Sequence, residues 1–334
     1  MKLRFLPIFT SFVMLRVACV AAPTLSLDKD PSGGVTVRVD GKVFASYVID
    51  QANKPYLWPA YGPTGKLMVR SFPAEKIEGE QQDHPHQRGI LFGHERAANT
   101  DTWHEKLTFE GDLGNPKKEE AAKKRIASLG RIVHREFTEL EADADRVVVA
   151  EVCDYLDADG KLYATEERRL VFRATNEMRT IDFDQDLIAV NAPVTWEDRK
   201  DSGVGIRIPT SMAVDSKKGG RIINSEGFKD AEAWGKAAKW CDYSGPVEGE
   251  TMGVAILSHP STFRYPSRWH VRPYGLFTAN PFASSQYDKA LPDASITVLV
   301  GERLKLRHRF VFHKGDADSA QVESQYDTYA KETK

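Results

Sequence analysis

Val35-Thr36-Val37-Arg38-Val39-Asp40-Gly41-Lys42-Val43-Phe44-Ala45-Ser46-Tyr47-Val48-Ile49 is the stretch from which the fold is read. Three valines alternate with polar residues, Asp40-Gly41 is a two-residue hairpin turn, and residues 42–49 return as a second strand. The same pattern recurs over residues 130–139, 146–156, 161–173 (after a second turn at Asp159-Gly160), 179–190, 204–214, 252–257, 296–300 and 304–313. So many half-apolar strands joined by short turns form an antiparallel meander, which buries its apolar side by packing sheet on sheet. The expected fold is all-β: a large antiparallel β-sandwich, similar in strand number and length to the galactose-mutarotase-like supersandwich. Two helices are expected. One spans 115–129, opened by Asn115-Pro116 and stopped by Gly130. The other spans 319–330, with Val322, Tyr326, Tyr329 and Ala330 on one face and an Asp318/Gln321 capping box, and should pack outside a sheet.

Residues 1–22 read as an export signal: Lys2 and Arg4 are basic, residues 5–15 are mostly apolar, and Val20-Ala21-Ala22 offers small residues for cleavage. The apolar run is shorter than the roughly 20 residues that cross a bilayer, so no membrane span is expected. The mature chain, 23–334, is read as a single β-sandwich domain in the periplasm or outside the cell. Lys2, Arg4 and Arg16 leave with the signal, so 46 basic residues against 48 acidic become 43 against 48, a formal charge of −5. No basic patch emerges, which disfavours nucleic acid as a partner. Cys153 and Cys241 could form a disulfide after export or stay as buried thiols.

The densest chemistry lies in Asp83-His84-Pro85-His86-Gln87-Arg88-Gly89-Ile90-Leu91-Phe92-Gly93-His94. Pro85 keeps the residue before it out of helical space, so His84, His86 and Arg88 are expected to run extended and share a face, backed by the apolar run Ile90-Leu91-Phe92. Trp103-His104-Glu105 could add a stacking surface and a carboxylate base. Trp234-Gly235-Lys236 and Trp240 supply further aromatics. A second dense segment, Trp269-His270-Val271-Arg272-Pro273-Tyr274-Gly275-Leu276-Phe277-Thr278-Ala279-Asn280-Pro281-Phe282, places His270 and Arg272 on one face. By contrast, His308 alternates with Leu304, Leu306, Phe310 and Phe312 and reads as a core histidine. Asp182, Asp184 and Asp186 line one face of a strand. Such a row would suit calcium, but Arg169 and Arg173 on the preceding strand are expected to neutralise it.

Asp83 to His94, Trp103 to Glu105, and residues 203–209, 234–245, 253–260 and 269–282 resemble, in order, the motifs of the PmoA-like family of exported proteins, over residues 50–329. The resemblance places His86, Arg88, Gly89, Trp103, Glu105, Arg207, Trp234, Trp240, His270, Arg272, Tyr274 and Asn280 at motif positions; His104 lies outside the pattern. It implies an association with carbohydrate metabolism. The methane-oxygenase name belongs to a subunit of a membrane copper enzyme, and this chain offers no run to span a membrane.

The leading functional expectation is an exported carbohydrate-active enzyme, a hydrolase, lyase or epimerase, using no cofactor. His86, His270 and Glu105 would carry acid–base chemistry. His84, Arg88, Trp103, Arg207, Trp234, Trp240, Arg272, Tyr274 and Asn280 would bind a small-molecule or oligosaccharide ligand. Two alternatives stand beside it: a copper or zinc site on His84, His86, His94 and His270, and a non-catalytic sugar-binding module. The arrangement requires His84, His86 and Arg88 to face His270 and Arg272 across one cleft.

Overall fold

The computed structural model describes residues 22–334, so the expected export signal lies, apart from Ala22, outside the described residues. Alternation gives way to two eight-stranded antiparallel sheets, the supersandwich build expected. The first sheet runs Leu25–Lys29, Val35–Val39, Lys42–Val48, Tyr56–Ala60, Ile90–His94, Ser202–Arg207, Leu276–Asn280, Arg268–Val271 from edge to edge. The second runs Arg221–Asn224, Trp240–Val247, Glu250–Ser258, Arg303–Lys314, Met178–Ala189, Leu162–Ala174, Val147–Leu156, Arg131–Ala142. Val194–Trp196 and Ile296–Val298 form a separate two-stranded ribbon.

The inner faces share one core. Phe44 of the first sheet packs edge-on against Phe172 and Phe312 of the second, at 5.7 and 6.5 Å between ring centres. Burying one such ring contributes about 1.5–3 kcal/mol. A polar knot crosses the same interface: Arg168 donates to the Tyr47 hydroxyl at 2.6 Å and to Glu166 at 2.6 Å, and Tyr155 and Gln185 donate to that same carboxylate. Buried polar groups are tolerated there because each finds a partner. His308 is fully buried, with Nε2 3.2 Å from Ser267 Oγ. Cys153 and Cys241 are both buried free thiols.

Register places the site. Ile90–His94 pairs with Ser202–Arg207, which pairs with Leu276–Asn280, which pairs with Arg268–Val271. Two segments far apart in sequence thus meet at one end of the first sheet.

The helices differ from expectation at their starts. Asn115 makes a turn, its side chain accepting from Lys117 N, and the α-helix runs only over Glu119–Ile126. The C-terminal helix is Val322–Tyr329, whose Val322, Tyr326 and Tyr329 pack on Trp240, Leu257 and Val311, outside the second sheet. Its capping box does not form: Gln321 has φ +53°, and Ser319 bonds back to Asp316. No helix among the described residues is long and apolar enough to cross a membrane.

Candidate active site

The segment before Ile90–His94 is a turn held by arginines, which corrects the extended run expected from Pro85. His84 has φ +42°, and Gln87 N donates to His84 O at 3.0 Å. Arg70 ties the turn down, donating to Asp83 O at 2.8 Å, Asp83 Oδ1 at 2.7 Å and His84 O at 2.9 Å. Arg207 donates to Asp83 Oδ1 and Gln81 Oε1, both at 2.8 Å, and to Gln87 Oε1. Burial works against the Asp83 carboxylate, but His84, Arg207 and Arg70 outweigh it and hold the carboxyl well below its usual range. Gly89 then turns the chain into the strand at φ +44°, with Leu57 O 2.0 Å from where a Cβ would stand, so no other residue fits.

This turn sends the side chains to different places. His84 and His86 enter a cleft of about 240 Å³, which His270, Arg272, Tyr274, Gln87, His104, Lys200 and Asp201 also line. Arg88 turns away and forms a forked ion pair with Glu105, at 2.7–3.0 Å. Lys54 Nζ lies 3.7 Å from the same carboxylate. Glu105 is therefore engaged beside the cleft and does not line it.

Inside the cleft the imidazoles stand in different settings. His86 and His104 have ring centres 4.6 Å apart, and His84 lies 5.8 Å from His86. His86 Nδ1 is 3.0 Å from Thr108 Oγ1, and burial, with the charges of His104 and Lys54, drives its pKa far below the usual imidazole value. His270 is pushed down to about 4 by burial, although Asp201, 3.7 Å from its Nε2, pulls the other way. Trp234 Nε1 donates to His270 Nδ1 at 3.4 Å. Both rings are thus neutral at pH 7.

Of the imidazoles lining the cleft, His104 has a buried carboxylate on its ring: Asp101 Oδ2 lies 2.9 Å from its Nδ1 and accepts from Arg125 Nη2 at 2.9 Å. That Arg125 nitrogen is also 2.9 Å from the ring nitrogen. As an ionised carboxylate is the better acceptor for both donors, the arrangement aims Nδ1–H at Asp101 and leaves Nε2 without a hydrogen-bond partner among the described residues. Burial would raise the Asp101 carboxyl, but hydrogen bonds from His104 and Arg125 keep it low.

Aromatic walls complete the site. Tyr274 stacks on His84 with ring centres 5.2 Å apart and planes 4° from parallel, and Arg207 lies over its ring at 4.6 Å. Asn280 touches no cleft space. Its amide donates to Arg199 O, Lys200 O and the Tyr287 hydroxyl, so it holds the loop that presents Lys200 and Asp201.

The remaining expected residues lie elsewhere. Trp103 is buried with Tyr56, Leu91 and Leu276, its ring 6.2 Å from His86. Trp240 packs under the C-terminal helix and donates to Glu323 at 2.7 Å, so it cannot stack on a ligand here. His94 sits in the core between Trp196 and Phe282, so the four-histidine metal set is not assembled. Among the described residues no three His, Cys, Asp or Glu side chains converge as a metal-ligand set. Asp101, His104, Lys200 and Asp201 were missed as site residues. The Asp-x-x-His spacing of the first two was the one available signal, and the loop before Ser202 offered none.

The chain belongs to DUF6807, a family of unknown function, whose model matches residues 34–327. No protein of curated function matches it. Solved structures with a related build include a Glycoside Hydrolase Family 97 enzyme from Pseudoalteromonas sp. strain K8 in complex with acarbose, at 8% identity and a TM-score of 0.33 over 87% of this chain and 35% of that one. A polysaccharide lyase matches at 11% identity and 0.32, over 90% and 34%. A 4-alpha-glucanotransferase from Thermococcus litoralis matches at 13% and 0.28, over 88% and 40%. The chain spans about a third of the length of the first of these, and the likeness concerns the sandwich fold alone.

Proposed function

We propose that the protein is an exported carbohydrate-active enzyme that works on a single sugar or modified sugar by imidazole acid–base chemistry in this cleft. The observation that carries the reading is the meeting of His86, His104 and His270, from three separate segments, around one small cavity. The cavity falls below the roughly 300–1,000 Å³ of pockets for drug-sized ligands, which suits one ring better than an oligosaccharide. His104, oriented by Asp101 in the manner of a carboxylate–imidazole pair, is the proton-transferring group. His86 and His270, kept neutral, position hydroxyls, and Tyr274, its ring stacked on His84 and covered by Arg207, stiffens the wall beside them.

A histidine-ligated copper or zinc, as the PmoA-like resemblance suggests, draws support from the contiguous rings of His84, His86 and His104. Of the expected four-histidine set His94 is remote in the core, and among the described residues no three ligand side chains converge; the Asp101 carboxylate on His104 Nδ1 does not count against a metal, since it leaves Nε2 free. A thermal-shift screen of sugars, keto-sugars and uronic acids, followed by NMR of each stabilising compound incubated with the protein, tests the enzyme reading. Binding followed by a new product that vanishes in His104→Ala supports it. Binding without any product would leave a sugar-binding module instead.

A further inference from the structure

Arg88, Arg207 and Arg272 were candidates for holding ligand oxygens, and the structure separates them. Arg88 is engaged by Glu105, and both terminal nitrogens of Arg207 by Asp83, Gln81 and Gln87. Arg272 is different: among the described residues its guanidinium has no hydrogen-bond or ion-pair partner. Its carbon lies 5.5 Å from the Trp234 ring centre and 5.8 Å from the Tyr274 ring centre, a cation beside two aromatic rings. A guanidinium presents a fork of N–H donors spaced for two oxygens of one acceptor, and here no protein acceptor among the described residues takes it up. The backbone beneath is fixed, since the Tyr243 hydroxyl donates to Pro273 O at 2.9 Å and Arg272 N donates to Leu276 O at 2.7 Å. The half-buried guanidinium therefore stands on a fixed backbone with its donors open to an incoming anion.

The other full charges of the cleft largely cancel. Lys200 Nζ lies 3.4 Å from Asp201, and His86 and His270 are neutral. Arg272 is thus the lining cation with no carboxylate beside it among the described residues, and its single fork matches the two coplanar oxygens of a carboxylate. We infer that the cleft takes a sugar acid whose carboxylate docks on the Arg272 fork while the ring lies among the imidazoles. This rests on the sugar reading above and narrows its substrate class. It also makes Arg272 a specificity determinant, separate from the proton-transferring His104.

Calorimetric titration of the mature chain decides the matter, comparing glucuronate, galacturonate and mannuronate with glucose, galactose and mannose, and adding hexose phosphates and plain acetate as further arms. At least one uronate should bind about tenfold or more tighter than its neutral counterpart, as expected for a charge-assisted bidentate pair, with the advantage shrinking as salt is raised. Arg272→Gln should erase that advantage, bringing uronate and neutral sugar to similar affinity, with the melting temperature near wild type, and Arg272→Lys should restore part of it. Equal affinity for uronate and neutral sugar would overturn the carboxylate inference and leave the sugar reading standing. Acetate binding as well as any uronate would overturn the sugar reading and leave the anion site. Preference for a hexose phosphate would replace the carboxylate with a phosphate, and no binding in any arm would overturn both.

Discussion

The cleft at the end of the first sheet and the outer face of the second sheet hold similar side chains in opposite states. Over the second sheet lies the larger hollow, about 730 Å³, lined by Asp182, Asp184, Asp186, Arg169, Arg173, Arg307 and Lys334. There most of the charge is answered within the protein. Asp182 accepts from Arg173 and Lys334 at 2.9 Å and from Arg309 at 3.0 Å; Asp184 accepts from Lys334; and Asp186 accepts from Arg307 and Arg303. In the smaller cleft His86, His104 and His270 keep ring nitrogens available and Arg272 keeps its donors. Under the proposed function, the candidate site is marked by unspent hydrogen-bonding capacity rather than by volume.

If that contrast is right, substitutions in the cleft change turnover and substitutions in the row change stability. The largest effect belongs to the cleft. With a substrate in hand, His104→Ala should lower turnover by about 10²–10⁴-fold, the usual contribution of a general acid–base group, with the urea midpoint nearly unmoved. Asp101→Asn should reproduce much of that loss, by releasing the ring. Unchanged turnover in both variants would remove His104 from the chemistry.

Next in size is Asp182→Ala. It leaves the buried Arg309 with only one of its two carboxylates and Lys334 with Asp184 alone, so the folded state should lose about 3–5 kcal/mol in urea denaturation, with ligand-induced stabilisation retained. A loss below about 1 kcal/mol would mean that the row is a solvated surface after all.

Acid should separate the regions further. His270 binds its proton with a pKa of about 4 when folded against 6.5 unfolded, and His94 and His308 are each lowered to about 3 by burial. Between those values and 6.5 the unfolded chain holds more protons, so stability is complete above about 6.5 and falls as pH drops towards 4. For His270 alone the full loss is on the order of 3 kcal/mol. Denaturation midpoints measured from pH 7 to pH 4 should decline, and His270→Gln should flatten part of the slope. A slope unaltered by this substitution would mean that His270 is not held neutral by burial.

The sequence made some of this legible and hid the rest for physical reasons. Alternation in residues 35–49 and 161–190 reports burial directly, so the sheets, the core position of His308 and the outer C-terminal helix could be read from periodicity. Arg88 could not be placed, because its direction is set by Glu105 seventeen residues on, a contact that alternation does not encode. Asn280 looked like a ligand contact, yet its amide holds a loop eighty residues away. The pairing within the Asp row was half read: Arg173 reaches Asp182, while Arg169 goes to Glu139 and the decisive cations come from residues 303–309 and Lys334. Cross-strand partners are set by sheet order, and two antiparallel sheets of eight strands allow many orders for the same alternation.

The smallest expected effect tests whether the row is graded by depth. Arg303 bridges Glu167 and Asp186 from the exposed end of the same strand that carries Arg307 and Arg309. Its side chain is 43% exposed, whereas that of Arg309 is 10% exposed. In water the gain from such a pair is screened and partly cancelled by the entropy of fixing two long side chains, so Arg303→Ala should cost about 0–1 kcal/mol. Asp186 keeps Arg307, which donates from a largely buried position, and so the carboxylate is not stranded by the change. Raising the salt concentration should shrink even this cost, while the cost of Asp182→Ala should barely respond, because solvent ions cannot reach between Asp182 and Arg309. Equal salt sensitivity of the two variants would show that the row is uniformly open to water. The contrast with the cleft would then rest on the unpaired Arg272 and the imidazoles alone.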